Sequence, residues 1–300
     1  GGSYSFGAGY YHDESVVPTE GYNRISVRGN FDQMVGKYFR FGLSTNNSYR
    51  KTQGVNDMYG VLSKSPLASP YDENGNLKRF VTLPADDQSV VTKETVERDK
   101  EVWLNENKGI GSYNTLFGEL KCPWIEGLSY RINIGLNFRS SKGGNFTGTG
   151  VNNKDENAIN GGGISENQTR NWAIENLLTY DRAFGKHNIN VVGMYSAEET
   201  TYESTGASAQ GIPADYFQYY ALDKATGEVN LNNYNYWQSG LVSWMGRVMY
   251  SYDNKYMISA ALRSDASSRL APGHKWHTYP AVSAGWNIAR ESFMENVKWV

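Results

Sequence analysis

Between residues 128 and 139 apolar and polar side chains alternate without a break: Leu128, Tyr130, Ile132, Ile134, Leu136 and Phe138 stand between Ser129, Arg131, Asn133, Gly135, Asn137 and Arg139. A period of two sorts the two sets onto opposite faces of an extended strand. Twelve such residues, at about 3.3 Å each, reach roughly 40 Å, so a strand tilted near 45° crosses a bilayer core with a little to spare. Strands of soluble sandwiches are usually about half as long.

The pattern recurs. Tyr4, Phe6, Ala8 and Tyr10 open the series. Ile25, Val27, Gly29 and Phe31 follow, then Phe39, Phe41 and Leu43. Further on come Trp172, Ile174, Leu178 and Tyr180; Ile189, Val191, Gly193 and Tyr195; Trp244, Gly246, Val248, Tyr250 and Tyr252. Tyr256, Ile258, Ala260 and Leu262, and then Val282, Ala284, Trp286 and Ile288, complete it, with Trp299 and Val300 beginning another strand. Residues 113–122 are the least regular member. The result is an all-β chain of roughly ten strands, read as an antiparallel segment of a transmembrane β-barrel.

Composition tests that reading. A hydrophobic share of 39% and a mean hydropathy of -0.60 are too polar for helical spans, and no run of about eighteen apolar residues occurs. Barrel strands escape the objection because they hide apolar residues at every second position. The net charge is -2, with acids and bases evenly spread, so no basic field exists to attract nucleic acid. Cys122 is the single cysteine and excludes an internal disulfide framework. No basic segment followed by an apolar one opens the chain, so export requires sequence upstream of Gly1.

The connections sort by length. Short ones are expected at 33–37, 123–127, 182–186 and 253–255; long polar ones at 51–109, 140–168 and 200–235, with lesser members at 12–21 and 266–278. In an antiparallel array this parity places every tight turn on one rim and every long loop on the other, as in outer-membrane barrels with periplasmic turns and extracellular loops. Sandwiches and propellers have no reason to sort loops this way. Tyr250, Tyr252 and Tyr256 flank the 253–255 turn, and Tyr130 and Tyr180 lie near two others, where an interfacial aromatic girdle belongs.

No catalytic centre or cofactor site is expected, and the chain is not read as an enzyme. His274 and His277 form the one close pair among four histidines and lack a third ligand nearby. Asp72, Glu73, Asn74, Gly75 and Asn76 lack the closing glutamate of a calcium loop and are read as a polar turn. Gly161, Gly162 and Gly163 precede no helical pattern, so they are read as loop flexibility rather than a phosphate cradle. The sequons at Asn145 and Asn167 fall in expected loops. The charged set Arg24, Arg28, Arg131, Asn133, Asn137, Arg139, Arg247, Arg263 and Asp265 is expected to face the lumen, because charge on the lipid side costs about 2–4 kcal/mol near the midplane. Such a wall serves a solute or pairs with a plug. Tyr216, Phe217, Tyr219, Tyr220, Trp237 and Trp276 are candidate loop contacts, for flat rings stack on sugars or bury against protein.

Residues 263–287 read RSDASSRLAPGHKWHTYPAVSAGWN. This closely resembles a hallmark stretch of the SusC/RagA family of TonB-dependent receptors, carried here by Asp265, Ser267, Ser268, Arg269, Gly273, Trp276, Pro280, Val282, Ser283, Gly285 and Trp286. NRISVRGNFD, SPYDENGN, ENLLTYDRAFGKHNINVVGMYSAEE and MGRVMYSYDNKYMISAALRSD agree more loosely. The resemblance implies an outer-membrane barrel of about twenty-two strands around an N-terminal plug. It further implies energy from the TonB complex acting through that plug, a SusD-like surface lipoprotein as partner, and import of oligosaccharides or oligopeptides, as in Bacteroidetes. Residues 1–300 then form part of the barrel domain, with the plug and C-terminal strands outside the chain. Rival readings are a passive porin and a soluble secreted carbohydrate-binding β-domain.

Overall fold

A computed structural model of the chain describes residues 1–16, 20–54, 65, 67, 69–80, 90–97 and 99–294. They build one antiparallel sheet of ten strands in which each strand bonds only to its neighbours in chain order. The strands are β1 (Gly2–Glu14), β2 (Gly21–Val35), β3 (Phe39–Gln53), β4 (Trp103–Lys121), β5 (Leu128–Thr147), β6 (Gly161–Phe184), β7 (His187–Gln210), β8 (Val229–Tyr252), β9 (Tyr256–Ser267) and β10 (Trp276–Trp286). A short helix α1 (Lys93–Glu97) and a 3-10 segment Asp215–Lys224 lie in the long connections.

Register turns the alternation of single strands into two continuous faces. Leu43 pairs with Leu116, Leu116 with Ile134, Ile134 with Ile174 and Ile174 with Ala197, so apolar side chains form an unbroken row across these five strands. The apolar face is not the inside of anything. Tyr4, Phe6, Ile25, Leu136, Leu178, Trp244, Ile258, Leu262 and Val282 are all exposed, and among the described residues the buried apolar cluster is Phe146, Ile212, Tyr219 and Ala221 at the long-loop rim. A soluble protein does not leave an apolar surface of this extent bare. No helix among the described residues is long and apolar enough to cross a membrane, which says nothing of a β-barrel.

The apolar band has a definite height. On β5 it runs from Leu128 to Phe138 and gives way to Ser140, Lys142 and Gly144; on β6 it ends at Trp172, with Arg170, Gln168 and Glu166 beyond. Eleven residues of tilted strand span about 25 Å, the height of the apolar band of outer-membrane barrels.

Above that height the strands continue, which corrects the loop boundaries. β6, β7 and β8 each have 24 residues, and the long connections shrink to 54–102, 148–160 and 211–228. The alternation in loop length survives. Both faces meet water above the band, so contrast between them vanishes while the ladder hydrogen bonds persist; alternation therefore ends before the strand does. Asn145 and Asn167 consequently sit in β5 and β6, Gly161, Gly162 and Gly163 open β6, and Trp237 and Trp276 lie in β8 and β10 rather than in loops. The irregular stretch 113–122 belongs mostly to the 19-residue β4. Trp299 and Val300 lie outside the described residues. At the opposite rim Asp253 and Asn254 both take left-handed backbone (φ 53 and 50), and Lys255 N–H bonds back to Tyr252 O at 2.9 Å, a tight turn within the three-residue 253–255 connection.

Candidate functional site

The face opposite the apolar band carries the charge. Arg28 pairs with Asn46, Asn46 with Tyr113, Tyr113 with Asn137, and the same parity brings Arg24, Arg131, Asn133, Arg139, Arg247, Arg263 and Asp265 onto this face. In its lower half, toward the tight turns, Arg40, Arg131 and Arg263 are paired with carboxylates, while Arg247 has no ion-pair partner among the described residues. Arg40 grips Asp32 through Nε and Nη2, at 2.9 and 2.7 Å. Arg131 lies 3.4 Å from Glu119 and donates to Asn133 Oδ1 at 2.9 Å, while Asn133 Nδ2 donates to Glu175 at 2.8 Å. Phe117 sits between the two guanidiniums, 4.2 Å from Arg131 and 5.6 Å from Arg40. Arg263 holds Asp265 at 2.9 Å and reaches Ser243 Oγ at 3.3 Å. Sequence reasoning missed the partners Asp32, Arg40, Glu119 and Glu175, although their parity within each strand identifies their face.

Three long connections are stitched into one cap. Arg79 donates from Nη1 and Nη2 to the carbonyls of Lys154, Gly150 and Asn153, at 3.3, 3.1 and 3.1 Å, and stacks on Phe80. Asn152 accepts from Thr92 N–H and Thr95 Oγ1 at 3.2 and 2.6 Å, and its own N–H returns to Thr92 Oγ1. Asn160 donates to Ile212 O and accepts from Ile212 N–H, at 2.9 and 2.8 Å. Asp215 accepts from Thr149 N–H and Asn160 Nδ2. Gln218, at φ 49, spends its side-chain amide on the carbonyls of Lys100 and Glu101. In the first connection Asp72 Oδ1 closes a polar turn by accepting from Asn74 and Asn76, both at 2.9 Å.

The cap is anchored to the sheet at Glu106, whose side chain is only 6% exposed. Lys108 Nζ and Lys51 Nζ approach it at 2.8 and 3.2 Å, and the hydroxyls of Tyr219 and Tyr220 donate to it. Desolvation works to raise the carboxyl's pKa, but the hydrogen bonds from Lys108, Tyr219 and Lys51 outweigh it and pull the value down to about 2. The same burial and the Glu106 bond push the Tyr219 hydroxyl up. Tyr219 is thus an anchor, 7% exposed, and not a surface contact; its ring lies over Gly144, where any Cβ would collide with it. Of the other aromatic candidates in this connection Tyr216 is 74% and Tyr220 66% exposed, and Phe217 is tilted against Tyr216 at 4.2 Å.

The 263–287 motif builds the β9–β10 hairpin. Ser268 exchanges two bonds with the Gly240 backbone, at 2.8 and 2.9 Å, which closes the β8–β9 ladder. Arg269 reaches Ser239 Oγ at 3.2 Å and lies 5.3 Å over Trp237, Gly273 turns with φ 85, and Trp276, Pro280, Ser283, Gly285 and Trp286 line β10. His277 Nε2 meets the His274 carbonyl at 3.1 Å. No group of three metal-ligating side chains is gathered among the described residues.

A face that is bare and apolar over about 25 Å, backed by a charged face and capped by long connections on one rim, defines the wall of an outer-membrane barrel. No family model matches the chain. Similar proteins are found all the same. TonB-dependent receptor P39 of Formosa agariphila is 27% identical over 298 residues, covering 97% of this chain and 27% of that protein. TonB-dependent receptor SusC of Bacteroides thetaiotaomicron is 21% identical over 322 residues, covering 98% and 30%. The solved RagAB peptide importer in its open-open state superposes with a TM-score of 0.83 at 18% identity, over 98% of this chain and 33% of that one. The chain spans 27% to 30% of the length of the curated relatives it matches. The fold is that of the TonB-dependent receptor barrel, a class of outer-membrane proteins. Within the class the resemblance is to the SusC/RagA type, as the 263–287 motif indicated.

Proposed function

We propose that residues 1–300 are part of the barrel wall of a longer outer-membrane importer, with the apolar face in lipid, the tight turns in the periplasm and the cap outside the cell. Its activity is transport and not catalysis. The observation that carries the reading is the pairing of a bare apolar band with an opposed face of ion pairs, arginines and amides, since a wall so divided separates hydrocarbon from a polar interior. On this reading Arg24, Arg28, Arg131, Asn133, Asn137, Arg139, Arg247, Arg263 and Asp265 line the lumen, facing cargo and plug. The cap, with exposed Tyr216 and Tyr220, meets a SusD-like lipoprotein. Energy reaches the barrel from the TonB complex through a plug elsewhere in the protein.

RagAB is a peptide importer, which supports oligopeptides as cargo; oligosaccharides rest on the resemblance carried by the 263–287 motif. The test is uptake of a mixed oligosaccharide and oligopeptide pool by cells expressing the full-length receptor with its neighbouring lipoprotein, read by mass spectrometry of the periplasm. Uptake should depend on the receptor and stop when a protonophore collapses the proton gradient. Uptake that survives the protonophore makes the protein a passive porin, and no receptor-dependent uptake at all removes the transport reading.

A further inference from the structure

The charged face divides into two zones. Its lower half holds the paired charges already described. Higher up, three consecutive rungs contain arginine and no carboxylate. One rung runs Arg24, Arg50, Gly109, Ser141, Asn167. The next runs Ser48, Gly111, Arg139, Thr169, Tyr202, Trp237. The third runs Arg28, Asn46, Tyr113, Asn137, Asn171. Arg24, Arg28, Arg50 and Arg139 have no ion-pair partner among the described residues, whereas Arg40, Arg131 and Arg263 each hold a carboxylate.

Two of these arginines, Arg50 and Arg139, face a recess. A cavity of about 330 Å³ is lined by Arg50, Arg139, Tyr113, Tyr202, Asn167 and Thr169. Gly109 makes room for it: a Cβ there would stand 2.7 Å from Arg50 Nε and would displace the arginine side chain from where it lies across β4. Flat surfaces flank the recess. Tyr202 stacks on Trp237 at 5.5 Å and 20°, and Arg269 of the 263–287 motif lies over the same indole. Arg24 lies 5.8 Å from the Tyr11 ring.

We propose that this band binds anionic groups, carboxylate or sulfate, on the cargo. The proposal rests on the reading of this face as the inner wall of an importer and names the class of substrate. A guanidinium surrounded by hydroxyls, amides and rings keeps its fork of donors unspent, and that fork matches the two oxygens of a carboxylate or sulfate. Unpaired positive charge on a low-dielectric wall concentrates anions and steers them inward. Tyrosine and tryptophan planes beside it hold the body of a sugar or side chain while the arginines hold its charge.

The test uses the full-length receptor in detergent and four probes: short dextran sulfate, unsulfated dextran of equal length, hexaglutamate and hexaglutamine. Tryptophan emission and equilibrium binding are read together, at low and high salt. At least one anionic probe should bind, more weakly as salt rises, and lose about tenfold or more in affinity in R50Q/R139Q, the loss expected when charged hydrogen bonds are removed. R50K/R139K keeps the charge but loses the fork, and should bind the anion more tightly than R50Q/R139Q yet more weakly than the parent. Retained heat-modifiable migration establishes that each variant is folded, and R139Q alone is measured where the double variant fails that check. The proposal is overturned if the neutral probes bind as well as the anionic ones, or if R50Q/R139Q binds the anions as tightly as the parent. It also falls if no anion binds and R50Q/R139Q exposes the plug to protease, for then the arginines neutralise the plug. Anion binding without uptake would remove the transport reading and leave this site standing; uptake without anion binding would do the reverse.

Discussion

Replacing Glu106 by glutamine keeps the shape of the cap's anchor and removes its charge. In the parent the carboxyl titrates at about 2 against an ordinary 4.5; Lys51 and Lys108 belong to the sheet and stay beside it when the cap opens, so opening forfeits the hydroxyl bonds of Tyr219 and Tyr220 to the ion, worth roughly 2 kcal/mol at neutral pH. That stabilisation is complete above pH 4.5, where the carboxyl of an undocked cap is also ionised, and is lost as pH falls from there toward 2. E106Q forfeits it at every pH and leaves Lys51 and Lys108 facing a neutral amide. Amide hydrogen exchange in the full-length receptor measures local opening of residues 211–228, which carry Tyr219. Protection there should fall about thirtyfold in E106Q at pH 7. Parent protection, corrected for intrinsic rates, should hold down to pH 4.5 and decline below it. If E106Q stays within about twofold of the parent, the anchor contributes nothing and the burial argument behind it is wrong.

Neighbouring residues of β6 test the assignment of faces. Ile174→Lys puts a charge on the apolar band and should cost about 2–4 kcal/mol, while Ala173→Lys on the charged face should cost less than about 1; the denaturation midpoint of the full receptor in lipid reports both, and equal costs would refute the assignment. Arg79→Ala removes three carbonyl bonds between the first two long connections. It should loosen the 148–160 connection by about 2 kcal/mol, seen as faster tryptic cleavage at Lys154 with the barrel intact.

Most of the sheet could be read directly because lipid imposes a one-sided demand. Rows such as Leu128 to Phe138 must be apolar at every second position, and nothing else in a chain this polar produces that rhythm. Where the demand stops, so does the signal. Residues 140–147 and 161–171 carry no contrast between faces, so they resemble loop although the ladder runs through them. The anchor was hidden for another reason. Tyr219 is indistinguishable by type from exposed Tyr216 and Tyr220, and Glu106 meets Lys51 and Tyr219 only through register and loop closure across more than fifty residues in either direction. The charged face was half legible: Arg131 and Asp265 announce themselves within single strands, but the division into a lower zone that holds carboxylates and three upper rungs that hold none emerges only when the strands are aligned.

A strand of 24 residues at the usual tilt climbs about 55 Å, and the bilayer claims only some 25 Å of it. The remainder stands free as a hydrogen-bonded palisade, too well cross-linked to flex between its ends. Any load placed on top therefore acts through a long lever rooted in hydrocarbon. Force on the cap would then be felt at the membrane as a change in strand tilt.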